Sequence, residues 1–133
     1  MLNFPPERIV CLSSETVETI YLLGEENRLV GVTGYAVRPK IVRKEKPRVG
    51  SFSSTKIEAI LALKPDIVFT FSDVQANLSR DLILAGLNVF CFNQRNIKGI
   101  FSMISIIGSI LDCSAKAKLL VRDLSKKIKS CER

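Results

Sequence analysis

Ile57-Glu58-Ala59-Ile60-Leu61-Ala62-Leu63-Lys64-Pro65-Asp66-Ile67-Val68-Phe69-Thr70-Phe71 is the stretch whose reading decides the fold. Its first half carries Ile57, Ile60 and Leu61 on one helical stripe. Just ahead, Thr55-Lys56-Ile57-Glu58 fits a capping box, where hydroxyl and carboxylate satisfy the first free backbone N–H groups. Lys64-Pro65 ends the helix, because the proline ring pushes the residue before it out of the helical region. Asp66 to Phe71 then reads as a strand too continuously apolar for a sheet with one wet face. Helix, stop and doubly covered strand in immediate succession predict a parallel sheet packed between helices.

The same alternation extends in both directions. Arg8 to Leu12 reads as a first strand. Ser13 and Ser14 supply a helix cap, Val17, Ile20, Tyr21 and Leu23 an apolar face, and Gly24 a stop. Leu29 to Thr33 is a second strand, followed by Gly34-Tyr35 and a basic loop closed by Pro47; Arg48 to Gly50 is a brief extended piece. Beyond Phe71, Ser72-Asp73 reads as a cap for a helix lined by Leu78, Leu82 and Ala85, which Gly86 ends. Asn88 to Phe92 is the last strand, and Asn96 opens a helix reaching about Leu111. Ser114 to Cys131 sets Ala117, Val121, Leu124, Ile128 and Cys131 on one continuous stripe that needs a cover. The expectation is an α/β fold: a three-layer, Rossmann-like lobe with a mostly parallel sheet of about four strands, ending in a long C-terminal helix.

Composition narrows the function. Histidine is absent, which removes the usual general base, the Ser-His and Cys-His nucleophile pairs and the commonest transition-metal ligand. The carboxylates and thiols do not cluster at metal-ligand spacing, so no metal site is expected. There is no Gly-x-Gly-x-x-Gly after the first strand and no P-loop. Asp73 and Gln75 lack a partner base and read as caps, so no catalytic residue is assigned. Cys11 and Cys91 fall inside strands, where a free thiol serves as a small hydrophobe. The net charge of +7 gathers in two places: Arg38, Lys40, Arg43, Lys44, Lys46 and Arg48 in one loop, and Lys116 to Lys129 in the last helix. Without a nucleic-acid-binding motif, this charge reads as solvated surface rather than a nucleic-acid site; a basic module for nucleic acid or membrane is the rival reading. Met1 to Arg8 lacks the basic and apolar regions of a secretory signal, which places the chain in the cytoplasm if it is complete.

In open parallel sheets, ligands sit outside the carboxyl ends of the strands. Three loops at those ends carry one aromatic each, Tyr35, Phe52 and Phe71, which together suit a bulky, planar or corrin-like ligand. Ser13 and Ser14 serve there either as ligand contacts or as the cap alone. Asn93, Gln94 and Arg95 add polar groups to the same rim. A small Rossmann-like enzyme or regulator using this rim is the alternative from another class.

The chain resembles the amino-terminal lobe of the periplasmic-binding-protein family that serves vitamin B12 and ferric-siderophore ABC transporters. The resemblance rests on Arg8 to Gly24, Leu29-Val-Gly-Val-Thr-Gly-Tyr35, Pro47-Arg-Val-Gly-Ser-Phe-Ser53, Ile57 to Val68 and Ala85-Gly-Leu-Asn-Val89, in family order. The cobalamin-binding branch is nearest, partly through Phe92-Asn93-Gln94-Arg95. The resemblance implies a non-catalytic substrate-binding lobe of a cobalamin uptake system, with a ferric siderophore as runner-up ligand. It implies that Tyr35, Phe52 and Phe71 pack on cobalamin or a related corrinoid, with Ser13, Ser14, Asn93 and Gln94 as polar contacts. It matches Glu58 to a carboxylate that pairs with arginines of the membrane permease, a role compatible with its place in the capping box. Location in the periplasm follows from the resemblance as well. In such proteins a long helix joins two lobes; residues 1–112 then form the ligand-binding lobe and residues 113–133 the start of that helix, with the second lobe absent. Cobalamin enters as ligand, with no cofactor. The uncovered stripe from Ala117 to Cys131 is alternatively the contact of a homodimer.

Overall fold

The computed structural model describes residues 3–34, 36, 38–49 and 57–131. Four strands, β1 (Ile9–Cys11), β2 (Leu29–Val32), β3 (Ile67–Phe71) and β4 (Val89–Phe92), form one parallel sheet in the order β2-β1-β3-β4. Pro47, Arg48 and Val49 extend it briefly beside β2, where Val49 N–H donates to Val32 O. The helices are α1 (Ser14–Leu22), α2 (Val42–Glu45), α3 (Ile57–Ala62), α4 (Ala76–Leu84), α5 (Ile97–Ile110) and α6 (Ser114–Cys131).

Alternation along the strands divides the interior in two. Ile9, Cys11, Ile67, Phe69 and Phe92 face one layer, where they meet Val17 and Ile20 of α1, Met103, Ile104 and Ile107 of α5, and Ala117 of α6. Val10, Leu12 and Val68 face the other, against Ile60 of α3 and Leu82 of α4. Strands buried on both faces need side chains that are apolar at every position, and the run Ile67-Val68-Phe69 supplies them. The three-layer α/β lobe ending in a long helix is therefore the architecture observed.

Local signals work as their chemistry dictates at both ends of α5. Asn96 Oδ1 accepts from Gly99 N–H at 2.8 Å. At the other end Asp112 takes a positive φ, and Cys113 N–H closes onto Gly108 O, turning the chain into α6. The close approach of α5 and α6 depends on Gly108, where an added Cβ would lie 2.4 Å from that of Ala117. Glu25 fixes the start of α6 to the lobe: its carboxylate meets Arg28 Nε at 3.1 Å and also the Lys116 ammonium. Arg28 in turn donates to Leu111 O at 2.7 Å.

Three expectations need correction. Cys11 is fully buried and its thiol is pushed up to about 12 by desolvation, but Cys91 is exposed. The reason is topological: among the described residues β4 is the outer strand, so no strand lies beyond it and Cys91 opens onto a groove along α4. The basic segment is not simply a loop. It contains α2, whose Val42 is fully buried, and it is tied down by Tyr21 Oη donating to Glu45 at 2.9 Å and Lys46 Nζ donating to Glu26 O at 2.6 Å. The stripe of α6 is covered within its own lobe for much of its length, since Ala117 is buried and Leu120, Val121 and Leu124 pack on the core.

Candidate functional site

The chain leaves β1 for β2 on one side and returns to β3 on the other, so the carboxyl ends of β1 and β3 are the topological switch point, the usual ligand position in an open parallel sheet. The strand ends form a row, Thr33, Ser13, Ser72, Asn93, held by Thr33 N–H donating to Cys11 O at 2.9 Å and Ser72 N–H to Phe92 O at 2.7 Å. At the usual strand spacing this row spans roughly 14 Å.

The candidate residues sit differently along it. Ser13 is fully buried and caps α1: its hydroxyl accepts from Thr16 N–H at 3.4 Å and lies 2.9 Å from Thr16 Oγ1. Ser14 follows on the first turn of α1, half-buried. Phe71 is half-buried at the end of β3, one side packed on the core. Asn93 is exposed. Gln94 is half-buried, and both of its amide atoms are enclosed without a hydrogen-bond partner. Phe71, Asn93 and Gln94 thus lie at the ends of the neighbouring strands β3 and β4, with Ser14 at the start of α1, after β1. Tyr35 and Phe52, as well as Thr55 of the capping box, lie outside the described residues. Glu58 is exposed on the first turn of α3.

Two residues at the switch point have roles the sequence did not reveal. Ser72-Asp73 does not cap α4; a turn of 3-10 helix, Asp73–Gln75, intervenes. Ser72 instead adopts φ 64°, ψ 175°, a region that side chains rarely occupy, and donates to its neighbour Asp73 Oδ1 at 2.6 Å. That bond, with help from Arg95, holds the Asp73 carboxyl below its ordinary value. The unusual backbone at Ser72 turns the chain directly after Phe71. Ser72→Gly is expected to relieve the strain and raise stability by up to about 1 kcal/mol in urea unfolding. Gln75, read as part of a cap, is buried at the switch point: its Nε2 donates to Leu12 O at 2.9 Å and its Oε1 accepts from Phe71 N–H at 2.8 Å. A glutamine carries both a donor and an acceptor, so one side chain joins the ends of β1 and β3 and fixes the spacing of the loops that follow. No sequence signal separates such a glutamine from a solvated one at a helix start.

Among the described residues no group of histidine, cysteine, aspartate and glutamate is placed to hold a metal ion. No helix among them is long and apolar enough to cross a membrane. The arrangement offers the aromatic ring of Phe71, the exposed amide of Asn93, the enclosed amide of Gln94 and helix-start N–H groups at one rim. Its chemistry is that of contact and hydrogen bonding.

Known proteins share this fold. The chain is 29% identical over 131 residues to an uncharacterized ABC transporter substrate-binding lipoprotein of Bacillus subtilis, covering 96% of this chain and 41% of that protein. It is 30% identical over 119 residues to a cobalamin-binding protein of Halobacterium salinarum, covering 87% of this chain and 32% of that protein. The fold superposes on a periplasmic heme-binding protein of Pseudomonas aeruginosa with a TM-score of 0.86 at 24% identity, covering 94% of this chain and 45% of that one. The chain therefore spans less than half the length of each. Residues 9–133 match the periplasmic binding protein family, one of binding proteins rather than enzymes, and the chain belongs to that family.

Proposed function

We propose that this chain is the ligand-facing amino-terminal lobe of a solute-binding protein of an ABC uptake system, with cobalamin or a related corrinoid as its ligand. The observation that carries the reading is the rim itself: Phe71 ends β3 and Asn93 and Gln94 follow β4, beside the ends of β1 and β3 that Gln75 ties together. A rim of this breadth with an aromatic face suits a flat macrocycle. Cobalamin brings its own cobalt ligands, so a chain without histidine loses nothing in holding it by packing and amides. The cobalamin-binding relative supports the same choice. Phe71, with Tyr35 and Phe52, packs on the macrocycle; Ser14 and Asn93 reach its polar periphery, Gln94 does so by turning its enclosed amide outward, and Ser13 shapes the turn from beneath. Glu58, exposed on α3, meets an arginine of the permease.

One lobe buries much less ligand than a closed cleft, so calorimetric titration with cobalamin is expected to give a dissociation constant weaker than about 1 µM. Phe71→Ala weakens it about tenfold, the loss expected for one aromatic contact. Heat with a ferric siderophore and none with cobalamin would move the proposal to the runner-up ligand. No heat with either at millimolar concentration would reject it.

A further inference from the structure

Among the described residues β4 is the outer strand of the sheet, and its outer edge lacks the lysine, proline or bulge that usually guards such edges. Which backbone groups it exposes follows from the ladder. The carbonyls of Asn88 and Phe92 accept from Val68 N–H at 2.9 Å and Ser72 N–H at 2.7 Å, so they point inward to β3. Alternation then turns the N–H and C=O groups of Val89, Cys91 and Asn93 outward. The segment Val89-Phe90-Cys91-Phe92-Asn93 is nearly symmetric about its centre. We propose that this chain self-associates through β4, two copies pairing their edge strands antiparallel about a twofold axis at Cys91.

That register satisfies every outward group. Cys91 faces its counterpart, and Val89 faces Asn93 of the second copy in both directions, all as hydrogen-bonded pairs, giving about six new backbone hydrogen bonds. Phe90 then falls opposite Phe92 of the second copy at the closer, non-hydrogen-bonded positions. Within one chain these rings already lie 4.6 Å apart, and Phe90 is 37% exposed, so pairing would gather four rings into one cluster. Apolar surface flanks the strand on the α4 side as well. Ile83 and Leu84 are 56% and 78% exposed there, beside a groove of about 410 Å³ that Cys91 also lines. The strand carries no charge, and the nearby arginines are already compensated: Arg80 by Asp81 at 3.1 Å and Arg95 by Asp73 at 3.7 Å. A twofold axis therefore brings no unpaired like charges together.

The pairing extends one sheet across two copies and sets their carboxyl rims at opposite ends. The pairing draws on Asn93 through its backbone only and leaves Ser14, Phe71 and Gln94 outside it, so failure of one reading leaves the other standing.

Sedimentation of the full chain from about 5 to 500 µM tests the proposal. The expected result is a concentration-dependent rise toward twice the 14.8 kDa chain mass. Cys91→Pro removes an N–H that faces outward, so it costs the folded monomer no ladder bond while breaking the centre of the pair. It is expected to weaken association at least about 100-fold with an unchanged circular dichroism spectrum. Phe90→Lys does the same by a different route and decides the matter if the proline variant fails to fold. A monomer throughout the range would overturn the proposal. So would a dimer that survives both substitutions, or one abolished by Leu124→Asp on α6 and untouched by Phe90→Lys.

Discussion

Gln75→Ala is expected to lower the stability of the fold by roughly 3 kcal/mol, the largest effect of any polar substitution at the rim. The substitution removes two hydrogen bonds and leaves Leu12 O and Phe71 N–H without their partner inside the protein. Unsatisfied buried backbone groups cost more than the bonds themselves contributed. Gln75→Glu separates this explanation from simple loss of packing, because the shape is kept. A protonated glutamic acid can donate to Leu12 O and accept from Phe71 N–H; a carboxylate cannot donate and sits against a carbonyl. Burial would raise the folded-state pKa of that acid above its unfolded value of about 4.3. The variant's stability is therefore highest below that value and falls as pH rises toward the folded-state pKa. Urea unfolding at acid and neutral pH measures the difference. A Gln75→Ala variant as stable as the parent would show that the switch point does not depend on this bridge.

Gly108→Val is expected to cost about 3 kcal/mol and to loosen α6 while leaving the sheet folded. A built Cβ at this position lies 2.4 Å from the Ala117 Cβ and 3.5 Å from Cys113 O. The obstacles are a β-carbon and backbone, neither of which can rotate away, so the two helices must separate. Amide hydrogen exchange locates the effect: faster exchange in α6 and the second half of α5, with Val68, Phe69 and Thr70 unchanged. Ala117→Gly in the Gly108→Ala background should recover part of the loss, since it removes the opposing methyl group. An unchanged melting temperature for Gly108→Val would mean that α6 is not seated on α5 as described.

The architecture was legible because the strands advertise themselves. Ile67-Val68-Phe69 permits no wet face, Lys64-Pro65 marks a helix end, and Asn96 caps its helix as such a residue should. What remained hidden depends on partners distant in sequence. Cys91 looks as apolar in context as Cys11, and only the strand order reveals that β4 is the outer strand among the described residues. Val42 sits among six basic side chains, whose charge masks the helical turn that buries it. Gln75 became legible only once Leu12 and Phe71 were seen on either side of it. Phe71, Asn93 and Gln94 were chosen by a positional rule, that ligands meet the carboxyl ends of parallel strands, and the structure places them at the ends of β3 and β4. Ser13 was assigned by the same rule, but its hydroxyl is spent on Thr16 N–H, since the residue that ends a strand here also begins a helix.

The central claim is that ligand meets this chain at the carboxyl rim of the sheet. Backbone amide shift mapping with cobalamin tests it most directly. The account predicts perturbations at Ser14, Phe71, Ser72, Asn93 and Gln94, with Gly24, Gly86 and Asn88 at the opposite end of the strands unmoved. Perturbations confined to the basic face of α6, or none at millimolar cobalamin, would contradict it.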